Sequence, residues 1–260
     1  MGKLKFFETN QRRRLAYHQS SQKPGTAGIV FLGGFHSDMQ GTKALFLEDW
    51  AQSQGRSFLR FDYSGHGQSS GRFADGSIGE WAQDAAAIIN ALTKGPQVLV
   101  GSSMGGWIAL ILAKSMPERV AGLVGIAAAP DFTEDSMWAG FDNDQRQQLL
   151  AKGQIELPSE YDAPYIITKK LINDGRNQLV LRDPLLLPFP TRFLQGTADK
   201  DVDQSVALRL LEHASGDDIH LTLVKGADHR FSTSECLEMI CNAIDQVSPC
   251  NNSRNPSEKV

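Results

Sequence analysis

The chain has 260 residues, 41% hydrophobic and 22% charged, ordinary globular usage that excludes a disordered or fibrous protein. Its formal net charge of −4 excludes a general nucleic-acid binder, because affinity for phosphate backbones needs clustered Lys and Arg. No apolar run approaches the roughly 20 residues of a membrane-spanning helix, so no stable membrane insertion is expected.

Residues Lys3–His18 read as a hairpin at a sheet edge. Apolar runs and helical stretches then alternate: strand Ala27–Leu32, helix Thr42–Ser53, strand Ser57–Phe61, helix Ile78–Thr93, strand Gln97–Val100, helix Trp107–Ser115 and strand Val120–Ala127. The rhythm stops at Asp131, where helical patches around Asp142–Lys152 and Ala163–Asn173 lead into Pro184, Pro188 and Pro190. It resumes with strand Arg192–Leu194, helix Gln204–Glu212, strand Ile219–Val224 and helix Ser234–Val247. Several strands are apolar without alternation, as strands covered on both faces are. The fold class is α/β, a mostly parallel sheet with helices on both sides. Residues 1–130 and 191–247 are expected to form the core, 131–190 a helical cap insertion and 248–260 a flexible tail.

The amino terminus lacks the apolar core of a signal peptide, and Gly2 lacks the Ser or Thr that acylation would want at Phe6. Cys236, Cys241 and Cys250 are few, odd in number and late in the chain. On a helix Cys236 and Cys241 stand about 140° apart, so neither a disulfide nor a metal pair is expected. Reduced thiols in the cytoplasm are the expectation.

Two segments fit Gly-x-Ser-x-Gly: Gly101-Ser102-Ser103-Met104-Gly105 and Gly67-Gln68-Ser69-Ser70-Gly71. Only Ser103 lies between an apolar strand and a good helix, the strand–turn–helix of a nucleophile elbow; Ser69 is followed by loop. A serine hydroxyl needs a base to take its proton and an acid to orient that base. Asp199 and His229 each come just after a predicted strand, where open α/β sheets place their ligands, and the order Ser, Asp, His is the hydrolase order. Asp201, Asp203 and Asp228 are rival acids, with Asp199 preferred because it follows its strand soonest. The oxyanion donors are expected to be the backbone N–H groups of Met104 and Phe35, the latter after the close-approach pair Gly33-Gly34. His36 and His66 fall in strand-end loops, and His36, Trp138, Phe141, Tyr161, Tyr165 and Ile166 are candidates for a substrate pocket.

Together Gly33-Gly34-Phe35, Asp62-Tyr63-Ser64-Gly65-His66-Gly67, the elbow at Ser103, Asp199 and His229 resemble the α/β-hydrolase superfamily. Within it, Gly41-Thr42-Lys43-Ala44-Leu45, Gly105-Gly106-Trp107 and Asp228-His229-Arg230 are similar to the palmitoyl-protein thioesterase and acyl-glucuronide esterase branch. The resemblance implies an acyl hydrolase acting on a small-molecule or acylated-protein substrate, with Ser103, Asp199, His229, Phe35 and Met104 in the reacting roles. One departure is Gly33-Gly34 where many members have His-Gly, which changes loop geometry more than chemistry because the donor is backbone.

A dehydrogenase reading of Tyr165-x-x-x-Lys169 fails because the glycine-rich loop does not follow the first strand of a βαβ unit. A phosphate loop fails because six residues, not four, separate Gly34 from Gly41. Carbon–carbon bond hydrolases and peptidases of this fold also use serine, and a hydrolase-fold binding protein is the non-catalytic rival. The reaction expected is acyl transfer to water through an acyl-enzyme, with no cofactor and no metal.

Overall fold

A computed structural model describes residues 3–20, 26–157 and 164–248. Tyr161, Cys250 and all of the expected tail except Ser248 lie outside the described residues.

The first half runs β1 (Lys5–Glu8), β2 (Arg14–Gln19), β3 (Ile29–Leu32), α1 (Thr42–Ser53), β4 (Phe58–Phe61), α2 (Ile78–Leu92), β5 (Gln97–Ser102), α3 (Met104–Ser115) and β6 (Val120–Ile126). A segment with α4 (Asn143–Lys152), β7 (Gln154–Leu157), β8 (Tyr165–Thr168), α5 (Lys169–Arg176) and β9 (Leu185–Leu186) follows. The chain closes with β10 (Thr191–Gly196), α6 (Gln204–His213), β11 (Ala214–Ser215), β12 (Ile219–Val224) and α7 (Ser234–Val247). Eight strands form one sheet in the order β1-β2-β4-β3-β5-β6-β10-β12. Its first two strands are antiparallel and the rest parallel, so β3, β5, β6, β10 and β12 all end at one edge.

The apolar strands read as two-sided, and they are. Along β5, Leu99 packs toward one face with Trp81, Trp107 and Ile108, while Val98 and Val100 pack toward the other with Leu47, Ile240 and Ile244. Thus α2 and α3 cover one side of the sheet, and α1 and α7 the other. Cys236 and Cys241 are unpaired and buried among the apolar residues of α7. Burial pushes the Cys241 thiol up to about 11.

The helix expected over Ala163–Asn173 is replaced in its first part by a strand. Tyr165–Thr168 pairs antiparallel with Gln154–Leu157, because Tyr-Ile-Ile-Thr is aromatic and β-branched and fits a pleated surface better than a helix. Thr168 then caps α5, its Oγ1 accepting the Leu171 N–H at 3.1 Å. Phe141, Leu149, Ile155, Ile167, Leu171 and Ile172 all join the core on the α2–α3 side, so the 131–190 segment packs as part of one molecule.

Candidate active site

Ser103 sits between the end of β5 and the start of α3 with φ 55° and ψ −118°, a left-handed conformation that strains any residue with a Cβ. Three backbone bonds hold it there. Its N–H donates to Ile126 C=O at 2.9 Å, and its carbonyl accepts from Gly106 at 2.9 Å and Ala129 at 3.1 Å. The turn closes so tightly that a Cβ on Gly105 would stand 2.0 Å from the Leu32 carbonyl oxygen, and one on Gly101 would stand 2.3 Å from that of Gly105. The two motif glycines are therefore required by space.

The loops after β10 and β12 are stitched together. Ala198 donates to Ala227 C=O at 3.0 Å, and Gly226 N–H donates to Thr197 Oγ1 at 3.0 Å. Phe231, fully buried, anchors the second loop in the core between the sheet and α7. This places His229 between Ser103 and Asp199. His229 Nδ1 lies 2.9 Å from Asp199 Oδ2, and Nε2 lies 3.1 Å from Ser103 Oγ. With Nδ1–H donating to the carboxylate, Nε2 is left to accept the serine proton.

Asp199 has no exposed side-chain surface. Burial alone would raise its pKa, but the hydrogen bond from His229 and the backbone N–H groups of Val202 and Asp201 outweigh it and hold the carboxyl below its ordinary value. The rival acids have other partners: Asp201 donates its own N–H to Asp199, Asp203 caps α6 through Ser205 N–H, and Asp228 Oδ1 accepts from Phe231 N–H. Ser69, in the second Gly-x-Ser-x-Gly, is a structural link. Its hydroxyl donates to Asp62 C=O at 2.6 Å and accepts from Ala16 N–H at 2.8 Å.

Beside the elbow, a Cβ on Gly34 would touch Ser103 Cβ at 3.4 Å, so Phe35 follows directly along the wall of the site. The Phe35 N–H meets no acceptor among the described residues, and Met104 opens α3, where the first N–H groups have no intrahelical carbonyl. The Phe35 ring packs edge-on against His36, Phe73, Trp81, Phe132 and Tyr165. His36 stacks on Phe73 with centroids 3.4 Å apart and lies 4.8 Å from Tyr165. Burial pulls His36 down to about 4, and does the same to His66, whose ring packs against Tyr63, Phe73 and Trp81. Of the six pocket candidates, His36 and Tyr165 thus gather around Phe35, Ile166 lies opposite Glu156 in the β7–β8 hairpin, and Tyr161 is outside the described residues. Trp138 instead carries the Arg146 and Arg176 guanidinium groups over its ring, at 5.3 and 4.7 Å from the centroid, and Phe141 is buried beside it.

Residues 29–172 match the family described as alpha/beta hydrolase fold. The chain belongs to the α/β-hydrolase family. This hydrolase is 33% identical to the mitochondrial palmitoyl-protein thioesterase ABHD10 of Rattus norvegicus over 246 residues, covering 94% of this chain and 82% of that protein. Among solved structures it is similar to a putative hydrolase from Agrobacterium vitis S4, with a TM-score of 0.90, 39% identity, and 94% and 97% of the two chains covered. The alpha/beta hydrolase domain-containing protein 10 from mouse matches with a TM-score of 0.85, 32% identity and the same coverage. No helix among the described residues of this hydrolase is long and apolar enough to cross a membrane.

Some residues around the hydrolase site escape a reading of the sequence. Phe73 opens the short 3-10 turn Phe73–Asp75, Phe132 caps the helical segment Thr133–Trp138, and both join Phe35 only through long-range packing. Lys43 reaches from α1 to the Arg230 carbonyl, next to His229, and Gln195 reaches Asp199 from within β10. A polar side chain inside an apolar strand run was the one available signal for Gln195.

Proposed function

We propose that this hydrolase cleaves carboxylic ester or thioester bonds through an acyl-enzyme formed on Ser103. The observation that carries the reading is the unbroken contact chain from Ser103 Oγ to His229 Nε2 at 3.1 Å and from His229 Nδ1 to Asp199 Oδ2 at 2.9 Å. In this mechanism His229 takes the hydroxyl proton as Ser103 Oγ attacks the acyl carbon, and Asp199 stabilises the imidazolium. The oxyanion lies against the Phe35 and Met104 N–H groups. His229 returns its proton to the leaving alkoxide or thiolate, and water then attacks the acyl-enzyme with His229 again as base.

The strained φ of Ser103 supports the nucleophile role, since such strain persists where the surrounding structure over-determines it, and it lifts Oγ clear of the strand. Phe35, His36, Phe73 and Tyr165 present an aromatic wall without a fixed charge, which suits the apolar part of an acyl group. Tyr165 comes from the 131–190 segment, so we assign that segment as a cap that completes the wall. The names of the mammalian relatives point to acylated proteins as one substrate class and to mitochondria as their compartment. For this chain the unpaired Cys236 and Cys241 favour a reducing compartment, in line with the cytoplasmic expectation.

The test is turnover of p-nitrophenyl esters and acyl thioesters of graded chain length by wild type and Ser103→Ala. Turnover that rises with chain length and is absent in Ser103→Ala supports the acyl-hydrolase reading and the apolar wall. Turnover that survives Ser103→Ala overturns it.

A further inference from the structure

Gln195 occupies the penultimate position of β10 and has no exposed surface. Burying a primary amide in a sheet is unfavourable unless its polar atoms find partners. Its Nε2 faces three acceptors: Asp199 Oδ2 at 2.9 Å, Val202 C=O at 3.0 Å and Gly196 C=O at 3.3 Å. Its Oε1 is buried with no hydrogen-bond partner. The amide cannot be turned round to relieve this, because Oε1 would then face a carboxylate and two carbonyls, all acceptors. The fold leaves one carbonyl-type oxygen unsatisfied in order to keep an NH2 group against Asp199.

The consequence lies in how Asp199 is held. Backbone N–H groups of Asp201 and Val202 both donate to Oδ1, at 2.9 Å each. Gln195 Nε2 and His229 Nδ1 both approach Oδ2, again at 2.9 Å each. The carboxylate has four donors, two per oxygen, and Gln195 is the side chain that fills one Oδ2 site and leaves the other for the histidine. We propose that Gln195 is a positioning residue for the hydrolytic reaction, fixing the Asp199 carboxylate so that its remaining Oδ2 lone pair is aimed at His229 Nδ1. The role rests on the acyl-hydrolase reading above.

Removing the amide has two electrostatic effects with one sign. The buried carboxylate loses a donor, so its negative charge is less dispersed, and the partial positive charge of the NH2 group leaves the neighbourhood of the imidazole. Both favour the imidazolium, so the acid limb of kcat/KM moves to higher pH. Loss of orientation lowers kcat rather than raising KM, because Gln195 lies behind Asp199 and hydrogen-bonds no group on the Ser103 side.

The experiment compares wild type, Ser103→Ala, Gln195→Met and Gln195→Glu, each checked for folding by thermal melting. Turnover of p-nitrophenyl butyrate is followed from pH 5 to 9. Gln195→Met keeps the volume and removes the donor; kcat is expected to fall about tenfold or more and the acid limb to rise by about half a unit. In Gln195→Glu two buried carboxyls share one proton, restoring a donor while that proton remains, so the variant gains an alkaline limb that wild type lacks. The Nδ1 proton resonance of His229 gives a readout that needs no turnover, and in Gln195→Met its titration midpoint is expected to move up with the acid limb. Wild-type turnover lost in Ser103→Ala, with an unmoved kcat and pH profile in Gln195→Met, overturns the Gln195 role alone. Turnover that is absent in wild type or survives Ser103→Ala overturns the acyl-hydrolase reading. In that case an unmoved His229 titration also removes the Gln195 contact from consideration, while a shifted one upholds it.

Discussion

The loops after β5, β10 and β12 and the segment between β6 and β10 both start from the same edge of the sheet, but they are held in different ways. In the first group the backbone does the work. Ser103 is fixed by Ile126, Gly106 and Ala129, and the Asp199 and His229 loops are tied by the backbone bonds Ala198–Ala227 and Thr197–Val224 within a few residues of their strands. The 131–190 segment depends instead on side chains that act across long separations. Asp131, buried and with φ 58°, accepts the Val180 and Leu181 N–H groups at 2.8 and 3.0 Å and Arg182 at 3.2 Å. Asp174 accepts the Gly79 N–H at 2.6 Å, and Lys170 pairs with Glu80 at 2.6 Å, both joining α5 to the start of α2. Backbone bonds between neighbouring strand ends give a rigid reacting centre, whereas side-chain ties let a covering segment vary in sequence without moving that centre.

This contrast can be broken at either end. Asp199→Asn is expected to lower kcat by roughly three to four orders of magnitude, because an amide at Oδ2 favours the wrong imidazole tautomer, with melting temperature nearly unchanged. A comparable loss of stability in that variant would mean that the acid is mainly structural. Asp131→Ala is the counterpart in the other region. It strands two buried N–H groups and an arginine, so denaturant melts are expected to show a loss of about 2–4 kcal/mol with a much smaller change in kcat.

The histidines of the aromatic cluster give the molecule a pH response. His66 is held down to about 4 by burial, against an ordinary value of 6.5. The unfolded chain therefore binds the proton first, and stability present above pH 6.5 is lost as pH falls toward 4. His36 has the same sign with a smaller share, because it is exposed to solvent. A loss of about 1–3 kcal/mol between pH 7 and 5 is expected, and His66→Phe is expected to flatten much of it. The smallest effect belongs to Lys170→Ala, whose ion pair is largely solvent-exposed; about 0.5 kcal/mol is expected, within reach of careful thermal melts.

The difference between the two regions also explains what could be read from the chain. Ser103, Asp199 and His229 each follow an apolar strand, and local pattern alone marks such strand ends. Residues Tyr165–Thr168 form β8 rather than helix because a short apolar run fits either period, and its partner Gln154–Leu157 is polar enough to hide the hairpin. The gathering of Phe73 and Phe132 around Phe35 comes from tertiary packing with no local signature. Gln195 is hidden for the opposite reason: a lone polar residue in a strand reads as a break in burial, and its partners Asp199, Val202 and Gly196 are brought to it by the turn that follows.

The most direct test of the central claim is covalent labelling with an alkyl fluorophosphonate, followed by peptide mapping. The hydroxyl of an activated serine displaces fluoride and keeps the phosphonyl group, so reaction reports activation independently of any natural substrate. One adduct is expected, on Ser103, abolished in Ser103→Ala and strongly slowed in His229→Ala. An adduct on Ser69, or no adduct on the folded wild-type protein, would contradict that claim.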